Sequence, residues 1–192
     1  MRRPDNRLWL LAAAAGGVAY PFLVYFGRTY SGTSFLQPPL LIVIALVLIG
    51  LRLLAMRGPD GRPWLIGLAV AAMVLVMLLA WNVGLAVLAY PVVISLTVAA
   101  IFGASLLWPP TIVERFARMR EPELTPAAIA YLRGVTQVWL LFLLANAAVA
   151  AALGLWGSLH LWTLWTGLVS YLLMGALFLG ELAWRHLVRA RA

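Results

Sequence analysis

Residues Pro63 to Val113 read PWLIGLAVAAMVLVMLLAWNVGLAVLAYPVVISLTVAAIFGASLLWPPTIV, 51 consecutive positions without a charged side chain. As one α-helix, at about 1.5 Å per residue, this stretch would be about 76 Å long, whereas the hydrocarbon core of a bilayer is about 30 Å thick. A single crossing would leave most of it stranded, so the run is expected to reverse and cross twice. The reversal is placed between Trp81 and Tyr90, where Trp81, Asn82, Gly84, Tyr90 and Pro91 combine interface aromatics with helix breakers. A second uncharged run, the 47 residues from Gly134 to Gly180, has its turn marked by Gly154, Trp156, Gly157, Ser158 and His160.

Working outward, 20 uncharged residues between Arg7 and Arg28 and 23 between Arg28 and Arg52 add one span each. The expected architecture is an all-α polytopic bundle in one domain over 1–192, with spans at 8–26, 36–56, 64–82, 88–108, 129–153 and 160–182. The arginines fit this count. Arg2, Arg3 and Arg7, then Arg52, Arg57 and Arg62, then Arg115, Arg118, Arg120 and Arg133, and finally Arg185, Arg189 and Arg191 all fall on one side, leaving Arg28 alone on the other. Positive residues stay cytoplasmic, so both chain ends are expected there, in a bacterial inner membrane. With four spans the arginine clusters would be divided between the two sides. A cleaved signal peptide is the alternative reading of the first span, since Ala12 to Gly17 resembles a cleavage region.

Composition excludes several classes. Hydrophobic residues make up 65% of the chain and charged ones 10%, against roughly 45–50% and 25% in soluble domains. The net charge of +8 is dispersed in short clusters between apolar runs, which suits lipid headgroups and not nucleic acid. With no cysteine, thiol nucleophiles, disulfides and iron–sulfur clusters are ruled out. His160 and His186 fall at opposite membrane faces, and no phosphate-binding or dinucleotide loop is present. No catalytic residue, metal or cofactor is therefore expected.

Two regions carry what functional signal there is. After Pro109 and Pro110, Thr111 and Glu114 have capping-box spacing, and Ile112, Val113, Phe116 and Met119 recur on one face of a short helix expected at 111–121. Glu114, Arg115, Arg118, Arg120 and Glu121 then form a cytoplasmic interaction face; the plainer reading is a solvated connector lying on the lipid surface. Pro122 stops this helix, and Thr125 with Pro126 starts the next.

The second region is polar and lies within the membrane. Arg133 and Glu181 are 21 and 22 residues from the turn positions Gly154 and Leu159, so they reach one depth and are candidates for a structural clamp ahead of a proton or ion relay, although Glu181 can also reach Arg185 on its own helix at four-residue spacing. Gln137 extends that patch inward. Asn146 stands eight residues in from Gly154, about 12 Å, level with Thr166, Gly167 and Ser170. Thr163, Thr166, Ser170 and Glu181 fall within about 60° on a helical wheel. Interhelical hydrogen bonding is the first explanation of this stripe and a substrate path the second. The pairs Ala100 with Ala104 and Ala148 with Ala152 allow close helix contact.

Residues 90–182, with Tyr90-Pro91-Val92, Pro109-Pro110-Thr111-Ile112-Val113-Glu114-Arg115, Arg120 to Leu124, Val135 to Trp139 and Ser170 to Gly175, resemble a family of small bacterial inner-membrane proteins. These are encoded beside acyl carrier proteins and ketosynthases for aryl polyene or xanthomonadin-type lipids. More distantly, the same half is similar to the intracellular septation protein A family, with Asn146, Trp162 and Trp165 at matching positions and Thr166 where that pattern has a basic residue. The resemblance implies a non-enzymatic accessory protein of envelope-lipid synthesis, with membrane lipid and acyl-chain biosynthesis proteins as partners and a second copy of the chain as a further one. A small lipid transporter or flippase using the polar stripe is the alternative.

Overall fold

The computed structural model describes residues 62–119 and 121–189, without the side chains of 62–65 and 185–189, together with isolated helical positions among 15–25 and 43–50. The bounds of the first two expected spans and Arg120 lie outside the described residues. The described residues are helical, with no strand among them. In chain order they form α1 (Arg62–Trp81), α2 (Val83–Leu107), α3 (Ile112–Arg118), α4 (Pro126–Trp156), α5 (Leu159–Leu164), a π-turn (Trp165–Val169) and α6 (Ser170–Arg189). Among the described residues three helical stretches are long and apolar enough to cross a membrane: α2, α4, and the continuous stretch Leu159–Trp184. α1 adds a shorter apolar helix over Ile66–Trp81.

The 51-residue run reverses at a single non-helical residue. Asn82 adopts an extended conformation, its side chain accepts from Leu85 N, and α2 begins at Val83, five residues earlier than expected. One good N-cap residue suffices, because its side chain meets a backbone donor that the new helix would otherwise leave unpaired. The two arms are antiparallel neighbours: a Cβ added at Gly67 would sit 3.0 Å from Thr97 Cγ2 and 3.2 Å from Ile101 Cδ1. The second run reverses at Gly157–Ser158. There Gly157 N bonds Leu153 O at 3.0 Å and Ser158 Oγ accepts from Leu161 N. A Cβ at Gly157 would lie 2.7 Å from Leu153 O, so this close return requires glycine.

The core sits toward the turn end of the bundle, where Tyr20, Leu75, Val87, Tyr90 and Trp162 are buried together. Pro91 lies inside α2. Having no N–H, it leaves the carbonyl of Val87 without its helical donor. The Tyr20 hydroxyl supplies one, donating to Val87 O at 3.0 Å, and its ring meets that of Tyr90 with centroids 4.5 Å apart. A proline tolerated in α2 is thus matched by a hydroxyl from the first expected span, as apolar surroundings demand. The outward faces stay apolar, with Ile66, Met77, Leu141, Leu172 and Leu179 all exposed, which suits lipid as the surrounding solvent. The small residues buried in α2 and α4 include Ala99, Ala147 and Ala150. Ala100 and Ala148 are exposed, so the expected pairs do not form the close seam.

Candidate functional site

α4 packs against α2 along much of its length and touches the last helical stretch chiefly near the turn. There Asn146 joins three elements. Its Nδ2 donates to Ser95 Oγ on α2 at 3.1 Å, and its Oδ1 accepts from Trp165 Nε1, at the first position of the π-turn, at 3.1 Å. Both ends of the amide are thereby used between helices. At the π-turn Ser170 N bonds Trp165 O, one residue farther back than in an α-helix. A Cβ at Gly167 would fall 2.8 Å from the ring of Phe22, so the π-turn also receives the first expected span closely.

The rest of the stripe is satisfied by its own helix. Thr163 donates to Leu159 O at 2.8 Å, Thr166 to Trp162 O at 2.7 Å and Ser170 to Thr166 O at 3.5 Å, all three side chains being buried. Thr136 likewise donates to Leu132 O. Such back-bonding lets hydroxyls sit in apolar surroundings without a partner helix. Trp162, with no exposed surface, keeps an indole N–H that has no hydrogen-bond partner.

Beyond Asn146 the two arms part. Between Tyr131–Leu141 of α4 and Ala176–Trp184 of α6 lies an open-sided groove of about 680 Å³. Val135, Val138 and Leu141 form one wall, Ala176 and Leu177 the other, and Gln137 and Glu181 supply polar groups. Arg133 and Gln137 are exposed and Glu181 is half-buried. No ion pair joins Arg133 to Glu181, so the two do not form the expected clamp. Glu181 has another polar interaction.

The loop helix α3 is built as its capping box requires: Thr111 Oγ1 accepts from Glu114 N and Glu114 Oε2 from Thr111 N, both at 3.3 Å. Glu114, expected on a solvated face, is only 4% exposed. Arg118 donates through Nε and Nη2 to its Oε1 at 2.9 and 2.8 Å and through Nη1 to Pro122 O, while Arg115 donates to Pro110 O and Ile112 N to Ser105 Oγ. Glu114 and Arg118 therefore hold the loop together. What α3 presents outward is Phe116 and Met119, 62% and 81% exposed, with Ile112 turned inward. A wheel assigns faces but not which one meets the bundle. Glu121 has an interaction of its own.

The site and fold define an all-helical chain with helices suited to a membrane, a three-element polar junction and a lateral apolar groove. Among the described residues no cluster of His, Asp and Glu could hold a metal. Comparison with protein-family models, with curated proteins and with solved structures gives no match.

Sequence reasoning selected Gln137, Asn146 and Glu181 but missed Ser95 and the groove walls. Ser95 is 51 residues from Asn146, and no local pattern signals that pairing.

Proposed function

We propose that the chain is a six-span inner-membrane protein with both ends cytoplasmic, a non-enzymatic accessory that holds an envelope-lipid or aryl-polyene-type synthesis apparatus at the membrane. The observation that carries this reading is the polarity of the bundle. Among the described residues every charged position lies away from the Asn82 and Gly157–Ser158 turns, at the end that holds α3. Cationic loops are retained in the cytoplasm, so this end faces the compartment where acyl carriers and synthases work. The loop there is braced through Ser105, Thr111, Glu114 and Arg118 while Phe116 and Met119 stand out from it. A braced loop with outward apolar side chains suits attachment to a lipid surface or a partner, since little ordering entropy remains to be lost.

The transport alternative has less support, because the hydroxyls of Thr163, Thr166 and Ser170 already bond their own helix. Affinity capture of the full chain is expected to recover acyl-carrier or ketosynthase proteins. The double substitution Phe116→Ser and Met119→Ser, which leaves the capping box intact, is expected to lose them. Recovery of none by the wild-type chain, or periplasmic labelling at Glu121, overturns the proposal.

A further inference from the structure

We propose that the groove between α4 and α6 holds one acyl chain of a phospholipid with an anionic headgroup, and that Arg133 and Gln137 receive the headgroup phosphate. The groove's volume of about 680 Å³ falls within the range of about 300–1,000 Å³ typical of small-ligand sites. Its walls are almost wholly apolar, and Tyr131 and Trp184 stand toward the charged end, as aromatics do at a membrane interface.

The walls are kept low by glycine. A Cβ added at Gly134 or at Gly180 would meet nothing within 4 Å, although both residues line the groove. Neither has a positive φ, so neither the backbone nor packing among the described residues calls for glycine, the poorest helix former after proline. What the pair does is keep the groove clear of side-chain atoms along both walls.

Charge decides the occupant. Arg133 is exposed, next to Gly134, and has no ion-pair partner among the described residues. One turn on, the Gln137 amide is exposed on the groove. Arg133 stands at the rim, outside the apolar lining, where a headgroup and not an acyl chain would reach it. A phospholipid brings its phosphate to the interface and its chain to Val138 and Leu141, about 8 and 12 Å along α4 from Arg133. Arginine and amide donors suit a phosphate. Glu181, across the groove, has an interaction of its own.

The test uses the full chain in vesicles of phosphatidylethanolamine and phosphatidylglycerol, with phosphatidylglycerol carrying a photoreactive group in one acyl chain and adducts mapped by peptide mass spectrometry. Adducts are expected to concentrate on residues 131–141 and 176–184. Gly134→Leu and Gly180→Leu, which fill the groove from opposite walls, are each expected to lower the yield there severalfold without lowering thermal stability. Arg133→Gln is expected to lower the yield with the phosphatidylglycerol probe and to leave a diacylglycerol probe of the same chain, which carries no phosphate, unaffected. Adducts spread evenly over outward positions such as Ile66, Met77 and Leu172 overturn the proposal. So does exclusion of the probe by residues 1–61 or by a second copy, seen as chain-to-chain crosslinks from the groove, and so does an equal effect of Arg133→Gln on both probes.

Discussion

Replacing Asn146 by leucine keeps the side chain's approximate size and removes both interhelical hydrogen bonds, to Ser95 and from Trp165, each 3.1 Å long. In membrane bundles one such bond contributes about 0.6 kcal/mol on average and up to about 1.7 kcal/mol. The two losses are unequal. Ser95 can turn its hydroxyl to a carbonyl of its own helix, whereas the Trp165 indole N–H has a fixed direction, and stranding it costs about 1–3 kcal/mol. Asn146→Leu is therefore expected to destabilise the bundle by about 2 kcal/mol, most of it through Trp165. Reversible unfolding in mixed micelles or steric trapping in bicelles measures this. In a double-mutant cycle, Trp165→Phe should cost less when Asn146 is already leucine, with a coupling of about 0.6–1.7 kcal/mol, and Ser95→Ala should couple more weakly. A Trp165–Asn146 coupling inside the additivity error of about 0.3–0.5 kcal/mol would refute the three-element junction.

Two further outcomes follow from the turn-end core. Tyr20→Phe should destabilise by about 1–3 kcal/mol, since it leaves Val87 O buried without a donor, and the cost should shrink in a Pro91→Ala background, where the restored amide can bond that carbonyl; an equal loss in both backgrounds, by the same unfolding assay, contradicts this pairing. Gly167→Ala should destabilise because the new methyl would meet the Phe22 ring at 2.8 Å, and Phe22→Ala should recover part of the loss in a cycle expected to couple by about 0.5–3 kcal/mol.

Charge-free length was enough to place both reversals, because the number of residues fixes how far a helix can run. Their details were less legible. The fourth span was expected to start at 88, yet Asn82 alone ends one helix and caps the next, so no loop is needed. The first turn of α4 was read from Thr125 and Pro126, but the expected span started three residues late because the helix continues beyond its most apolar part. Glu114 was assigned to solvent by its charge; Thr111 and Arg118 supply the partners that let it be buried. The stripe on the last helix was visible as a pattern, but a wheel does not show that threonine and serine bond backward to their own helix. The π-turn carries no proline to announce it, and the groove depends on how two helices diverge, which no single helix encodes.

The π-turn has a bearing on α6 as a whole. One surplus residue between Trp165 and Val169 offsets everything after it by about 100° relative to an unbroken α-helix. Were the turn to become regular α-helix with its length unchanged, Glu181 and Trp184 would rotate out of the groove by over a quarter of a turn with none of the lining side chains altered. The azimuth of the α6 wall is thus set about four helical turns away, beside Asn146, so a change at that junction would be felt at the groove as a rotation.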